Sequence, residues 1–102
     1  MVVTAMIRVK PEVAAPAEER LGELVRAAAS EEGVLVYSLH KDRKNPGVFF
    51  VYERYADREA FQRHGSMAHV QEFFKWVGPH LLQQPELTVF EEVASFVKGM
   101  PD

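Results

Sequence analysis

The strongest constraint in this sequence of 102 residues is a strand-like segment that is apolar on both of its faces. Residues 48–55 read Val-Phe-Phe-Val-Tyr-Glu-Arg-Tyr, and a β-strand turns alternate side chains to opposite faces of its sheet. Phe49 and Val51 would therefore lie on one face, and Phe50 and Tyr52 on the other. A sheet that meets water on one side alternates apolar with polar residues, so we expect both faces of this sheet to be covered.

Alternating and helical patterns of apolar residues divide the rest of the chain into further elements. In chain order they predict a strand over residues 2–9, a helix over about 16–31, strands over 34–41 and 48–55, a short helix capped by Asp57, a helix over about 67–81 capped by Ser66, and a strand over 87–93. With the two adjacent helices taken as one unit, the order is βαββαβ. This order is typical of the α+β, ferredoxin-like fold, a four-stranded antiparallel sheet with its helices on one face. We expect residues 1–95 to form this domain and residues 96–102 to form a tail.

Helices on one face leave the second face of the sheet to be covered by something else. Burying one large apolar side chain stabilises a protein by roughly 1.5–3 kcal/mol, so several such side chains left in water would forgo much of a domain's stability. They would also form a larger apolar patch than monomers usually expose. We therefore expect a homodimer that packs through its two sheet faces, a dimeric α/β barrel. A ligand cavity beside the sheet is a partial alternative, and a β-bulge that shifts the strand parity is another.

Composition and charge exclude several functions. The formal net charge is −3, so neither nucleic acid nor a membrane surface is an expected partner. The chain has no Cys, which removes disulfides, thiolate metal ligands and Cys nucleophiles. Its six Gly are scattered and form no phosphate-binding loop. The first residues lack the charge order of a signal peptide, and we expect a cytoplasmic protein.

Two of the four His are the strongest candidates for acid–base chemistry. His64 and His69 are five residues apart, about 140° on an unbroken helix, so we predict no helical metal-binding pair. Helical spacing places His69 with Phe73 and Trp76 along one edge of the buried face, where a helix can line a pocket. The alternative is a boundary His that bonds a backbone carbonyl beside a packing Trp.

Glu53 lies inside the most apolar strand, where a carboxylate needs a partner. It either pairs with an Arg at the surface of the sheet or is partly buried with a perturbed pKa. Tyr37, Phe50 and Tyr52 either form an aromatic wall for a ligand or pack in the core or at an interface. The acidic residues that follow Pro16, Glu31 among them, are interpreted as a solvated helix face.

The order and spacing of several motifs resemble the antibiotic biosynthesis monooxygenase (ABM) family, small dimeric proteins with a ferredoxin-like fold. The resemblance covers about residues 2 to 94. It rests on residues 8–11 (RVKP), 33–40 (GVLVYSLH) and 49–61 (FFVYERYADREAF), and on the pair His64-x4-His69.

The resemblance implies a homodimer with a pocket between sheet and helices in each subunit. It also implies oxidation of electron-rich phenols or hydroquinones by O2 without flavin, haem or metal. His69 or His64 would act as general base or proton shuttle, and Glu53 would orient it or accept a hydrogen bond from the substrate.

The resemblance further implies that aromatic side chains, Tyr37, Phe73 and Trp76, hold a flat substrate ring, and Phe50 is a further candidate for this wall. Haem degradation is not expected, because haem-degrading relatives use an Asn in the first strand and residues 2–9 contain none. Two other functions stay open. One is a small-metabolite isomerase of the same fold, and the other is a non-catalytic dimer that binds a small aromatic molecule.

Overall fold

A computed structural model describes residues 1–99 and confirms the predicted order of elements. The strands and helices are β1 (Val2–Arg8), α1 (Ala14–Ala28), β2 (Val34–Lys41), β3 (Val48–Tyr55), α2 (Arg58–Ser66), α3 (Ala68–Val77) and β4 (Glu86–Phe90). Short 3-10 turns at Pro11–Val13 and Gly78–His80 precede α1 and follow α3. Each of these turns contains a Pro in its first positions, where the missing backbone N–H costs nothing.

The four strands form one antiparallel sheet in the order β2-β3-β1-β4. β1 lies in the centre and pairs with β3 on one side, where Ala5 faces Val51, and with β4 on the other, where Ala5 faces Leu87. β2 completes the hairpin with β3 at the far edge. This is the α+β, ferredoxin-like topology that the sequence predicts.

The main core lies between one face of the sheet and the helices. Alternate residues from Val3 of β1 to Val9, which directly follows the strand, are buried on this face, as the period-two pattern predicts. Leu21 and Leu24 of α1 and Phe73 of α3 pack against Ile7 and Val9 from the other side. The helical spacing of these apolar residues therefore forms one apolar stripe on each helix, and that stripe faces the sheet.

The other face of the sheet carries no helix, and we call it the open face. Its side chains come from all four strands and mix polar residues, such as Ser38, Arg54 and Thr88, with a set of apolar and aromatic ones: Met6, Val36, Phe50, Tyr52 and Phe90. Phe50 is 36% exposed, whereas its neighbours in sequence, Phe49 and Val51, are buried against the helices. The prediction of a strand that is apolar on both faces is therefore confirmed for β3.

A β-bulge changes the predicted parity at the start of β2. The register shifts between Val34 and Val36, so that Val34 faces Tyr55 on the helix side. Leu35 is left unpaired in the bulge and is 58% exposed. Strict alternation over the predicted strand 34–41 would place Leu35 on the same face as Tyr37, but the extra residue in the bulge moves the side chains that precede it to the other face.

The predicted caps of the two later helices have different outcomes. Asp57 caps α2 as predicted, and its carboxylate accepts a hydrogen bond from the backbone N–H of Ala60 at 2.8 Å. Ser66 is not a cap. It is the last residue of α2, and its hydroxyl donates to the carbonyl of Arg63, so Met67 in extended conformation separates α2 from α3. The chain therefore turns one residue later than predicted.

The chain after β4 forms no helix or strand and is exposed over residues 91–99. Val93 and Phe96 in this segment lie almost entirely in solvent. The domain boundary at residue 95 stays a prediction, and residues 100–102 of the predicted tail lie outside the described residues. In residues 1–99 no helix combines the length and the apolar character that crossing a membrane requires.

Gly47 closes the β2–β3 hairpin in a conformation that other residues avoid, and this predicts a large effect of substitution. Its φ is +87°, and a Cβ there would lie 2.5 Å from the carbonyl oxygen of Val9. We expect Gly47→Ala to lower the free energy of unfolding by at least about 2 kcal/mol, measured by urea denaturation. Gly65→Ala is the matched control, because its Cβ would meet nothing within 4 Å and α2 should gain about 0.5–1 kcal/mol. Equal stabilities of the two variants would contradict this role of Gly47.

Candidate active site

Glu53 is buried on the helix side of the sheet. Strand alternation places it on the same face as Val51 and Tyr55, and the residue is only 5% exposed. The Tyr55 hydroxyl donates a hydrogen bond to the Glu53 carboxylate at 2.5 Å. Of the two interpretations of Glu53, the buried one is therefore observed, and the neighbouring Arg54 instead pairs with Glu92.

Burial perturbs the ionisation of Glu53. Loss of solvent around the carboxylate raises the pKa of Glu53 to about 6, although the hydrogen bond from Tyr55 acts in the opposite direction. Near neutral pH this carboxylate therefore exchanges its proton easily, which is the property that acid–base chemistry requires.

Tyr37 faces Glu53 across the β2–β3 pair. Burial raises the pKa of the Tyr37 hydroxyl, and the nearby negative charges of Glu53 and Glu31 raise this pKa further. Tyr37 therefore keeps its proton and can donate a hydrogen bond. Within residues 1–99 no hydrogen-bond partner is present for this hydroxyl.

His64 is buried in the last turn of α2 and is held by a carboxylate. Its Nδ1 lies 3.1 and 3.2 Å from the two carboxylate oxygens of Glu31. Its ring also packs against the ring of Tyr37, with centroids 5.0 Å apart. The residue that orients His64 in this structure is therefore Glu31, whereas the resemblance implied Glu53 for that role.

Glu31 corrects a prediction from the sequence. It was assigned to a solvated helix face, but α1 ends at Ala28 and Glu31 lies in the turn that leads to β2. There its side chain is only 9% exposed, because the turn runs against α2 and the start of α3. The error arose because the predicted helix extended to about residue 31, beyond the observed end of α1 at Ala28.

His69 approaches the same carboxylate from α3. Its Nε2 lies 3.5 Å from Oε2 of Glu31, and its side chain is 34% exposed. On one straight helix His64 and His69 would point about 140° apart, so the break at Met67 is what brings both rings to Glu31. No group of three or more His, Asp and Glu in residues 1–99 has an arrangement suited to a metal ion.

A small cavity of about 120 Å³ lies between the sheet and the helices. Tyr37, Glu53, His64 and Phe73 line it, and the remaining walls are mainly aliphatic and aromatic side chains. Four of the seven predicted site residues therefore meet at one space. Within residues 1–99 no protein group bonds Nε2 of His64 or the second oxygen of Glu53.

Three of the predicted site residues lie elsewhere. Phe50 is on the open face, which strand alternation dictates once Glu53 faces the helices. Trp76 packs under the guanidinium of Arg20, 4.3 Å from the ring centroid, and beside the ring of His80. His69 lies behind Glu31 and borders an open surface groove of about 570 Å³ instead of the cavity.

Two residues of the site escaped the sequence analysis. Tyr55 could have been predicted from the sequence, because residues two apart in a strand share a face and a buried Glu53 needs a hydrogen-bond partner. Glu31 could not have been predicted, since no periodic pattern marks a turn residue that packs against a neighbouring helix.

The raised pKa of Glu53 predicts how stability depends on pH. Between about pH 4.5 and 6 the folded state holds a proton on Glu53 that the unfolded state has lost, so the free energy of unfolding falls as pH rises. Glu53→Gln should abolish this fall and stabilise the protein at pH 7 by up to about 2 kcal/mol. Urea denaturation from pH 4 to 7 measures it.

Tyr55→Phe is the matched variant for this measurement. It removes the hydrogen bond that lowers the pKa of Glu53, so the fall in stability should extend to higher pH. A Glu53→Gln protein that shows the wild-type fall would refute the perturbed ionisation of this carboxylate.

Comparisons with known proteins agree with this architecture. The family model of antibiotic biosynthesis monooxygenases matches residues 1–76. Among solved structures, one named an antibiotic biosynthesis monooxygenase is 28% identical and has a TM-score of 0.86, with 92% of this chain and 100% of that chain covered. No protein of curated function matches the sequence significantly.

Two bacterial structures are similar to the same extent. A protein of Caulobacter crescentus that is named for this family is 30% identical, with a TM-score of 0.83 and coverage of 91% of this chain and 89% of that chain. A Pseudomonas aeruginosa protein is 29% identical, with a TM-score of 0.84 and coverage of 91% and 93%. With its fold, its buried site and the family match over three quarters of its length, the chain belongs to the antibiotic biosynthesis monooxygenase family.

Proposed function

We propose that this protein is a cofactor-independent monooxygenase that oxidises a quinol-like phenol with O2 inside the cavity. The observation that carries the proposal is the convergence of Glu53, Tyr37 and His64 on one apolar space. Each of these side chains has hydrogen-bonding capacity that no protein group within residues 1–99 uses. Unused polar groups at an apolar cavity are the usual sign of a ligand that completes them.

The size of the cavity supports a single-ring substrate. A protein cavity of about 150 Å³ is known to accommodate benzene, and this cavity measures about 120 Å³. A hydroquinone is somewhat larger than benzene, so it requires small movements of the cavity walls, whereas a polycyclic phenol requires much larger ones. Phe73 offers a ring face for stacking, and Glu53 and His64 offer hydrogen-bond acceptors for the two hydroxyl groups.

The chemistry begins with a proton. His64, oriented through Nδ1 by Glu31, accepts the proton of one substrate hydroxyl at Nε2, and Glu53 accepts a hydrogen bond from the other hydroxyl. The resulting phenolate is electron-rich enough to pass one electron to O2, which gives superoxide and a substrate radical.

The two radicals then combine at a ring carbon that carries hydrogen. One oxygen atom stays on that carbon as a carbonyl when the O–O bond breaks. The other oxygen leaves as water with the C–H proton and the proton held by the protein. The overall reaction converts one hydroquinone and one O2 to one hydroxyquinone and one water. We expect a bound ring that fills the cavity, together with the apolar walls, to keep solvent from the radical pair and so to limit the escape of superoxide.

The homodimer predicted from the sequence is also part of the proposal. The open face presents Phe50, Val36 and Phe90 to solvent in a single chain, and the segment after β4 exposes Val93 and Phe96. Together these side chains form the kind of apolar surface that a second copy covers. We expect the two sheets to pack face to face and to leave each cavity on its helix side.

The first test of the proposal is oxygen uptake with methylhydroquinone, with EDTA-treated protein and labelled ¹⁸O2. We expect one O2 consumed per quinol and one labelled atom in the product. His64→Ala should lower kcat about 10²–10⁴-fold, the range for loss of a general base. His80→Ala is the control, because His80 lies beside Trp76 outside the cavity and should leave the rate unchanged.

Other outcomes of this experiment favour the alternatives. Quinol binding without oxygen uptake would indicate a non-catalytic binding protein. Conversion of the ligand without oxygen uptake would indicate an isomerase. Full activity in His64→Ala would remove the role assigned to this imidazole.

The dimer is tested by sedimentation. We expect wild-type protein at micromolar concentration to sediment as a dimer and Phe50→Glu to sediment as a monomer, because the charge would be buried between two sheets. Phe74→Glu is matched in residue type and exposure, at 37% against 36%, but lies on α3 and should remain dimeric. A monomeric wild-type protein would refute the dimer.

A further inference from the structure

We infer that Glu31 is a positioning residue and that Glu31 and His69 form a proton route between the cavity and the outer groove. The inference rests on the proposed function, since it concerns the proton that His64 takes from the substrate. Its first observation is that one oxygen, Oε2 of Glu31, lies 3.1 Å from Nδ1 of His64 and 3.5 Å from Nε2 of His69. A single carboxylate therefore joins a ring inside the core to a ring at the surface.

The contact with Glu31 decides which nitrogen of His64 carries the proton. An ionised carboxylate has no hydrogen to donate, so Nδ1 of a neutral His64 must donate to Glu31. Nε2 is then the nitrogen with a free lone pair. Because His64 also lines the cavity, Glu31 fixes His64 in the form that acts as a base toward a bound ligand.

His69 supplies the outer end of the route. Its Nε2 is buried and has no hydrogen-bond partner in the described part of the chain, a state that native structures seldom leave unexplained. Its lone pair at Nε2 and the ionised Glu31 are both acceptors, so the 3.5 Å separation is expected at rest, and a small rotation of the ring forms the hydrogen bond once Glu31 carries a proton to donate. About a third of the side chain is exposed and borders the groove, so His69 can exchange protons with water.

The proton moves through three transfers. The substrate proton binds Nε2 of His64, and the proton on Nδ1 of His64 passes to Glu31. Glu31 then passes that proton to Nε2 of His69, which leaves the carboxylate ionised and His69 as an imidazolium. The reverse sequence returns a proton to the cavity when an oxygen atom leaves as water. The positive charge thus resides on His69, away from the phenolate, during electron transfer to O2.

The apolar cavity explains why such a route is needed. A positive charge on His64 directly beside the phenolate would stabilise it and weaken it as a reductant. Among the hydrogen bonds and ion pairs of residues 1–99, Glu31 alone joins His64 to a partly exposed acid–base group. Glu31 provides that connection from a turn whose side chain is itself almost fully buried.

The first experiment requires no substrate and reads the ring protons by ¹⁵N NMR. We expect neutral His64 to carry its proton on Nδ1 in the wild type and in Glu31→Gln, whose amide oxygen still accepts. In Glu31→Leu, which has no acceptor, the proton should move largely to Nε2. Glu32→Leu is the control at the adjacent exposed residue and should match the wild type. A wild-type His64 protonated on Nε2 overturns the inference without any variant.

The second experiment measures turnover of methylhydroquinone. Glu31→Gln keeps the hydrogen bond but cannot relay a proton as the carboxylate does, so kcat should fall at least tenfold while KM stays within twofold. Glu32→Gln should retain wild-type kcat. His69→Ala should also lose kcat, and added imidazoles should restore it in the order of their basicity, which a merely structural role does not predict.

The two experiments separate the inference from the proposed function. Absence of oxygen uptake in the wild type refutes the proposed function, while the NMR measurement still decides whether Glu31 fixes His64. Unchanged kcat in Glu31→Gln, a change confined to KM, or rescue that ignores basicity overturns the proton route even if the enzyme is active.

Discussion

The structure depends on how polar side chains are held in the apolar layer between sheet and helices. A buried carboxylate or imidazole destabilises a protein unless other groups bond it. Tyr55 partly satisfies Glu53, and Glu31 satisfies one side of His64. Each arrangement leaves one side of the polar group free, and those free sides meet at the same cavity. The site is therefore a polar network that the protein completes only in part, which is the arrangement a ligand with two hydroxyl groups would complete.

The two faces of the sheet have separate tasks. The helix face of β3 carries Phe49, Val51 and Glu53 in alternation, so core packing fixes the position of the site carboxylate to within one strand register. The open face carries Phe50 and Tyr52 and takes no part in the cavity. The proposed dimer interface and the proposed catalytic site therefore use alternate residues of β3. A shift of one residue in the register of β3 would exchange its two faces and disrupt both sites.

The sequence predicted the fold well because its signals were periodic. Strand alternation identified β1, β2 and β3, and helical spacing identified α1 and the helical region after Asp57. The site was predicted in part for the same reason. Periodicity shows which residues share a face, so it groups Glu53 with Val51, but it left open whether the Glu53 carboxylate is buried or paired at the surface. It also does not show where a helix axis points.

The remaining errors concern breaks in that periodicity. Trp76 was placed beside the site from its angle on an ideal helix, but Arg20 and His80 hold it at the opposite end of α3 from Glu31. The bulge at Leu35 shifts the register of β2 by one residue, and the break between α2 and α3 lies at Met67, one residue later than predicted. Glu31 lies beyond the end of α1, and only the folded chain shows that it meets His64 and His69.

The central claim is that an aromatic quinol binds between Glu53, Tyr37 and His64. The most direct measurement is a crystal structure of the protein soaked anaerobically with methylhydroquinone, so that the ligand is not oxidised. We predict one ring in the cavity against Phe73, with hydroxyl oxygens about 2.6–3.2 Å from Glu53 and from Nε2 of His64. A ring bound beside Trp76 or in the outer groove near His69, with the cavity unchanged, would contradict the account.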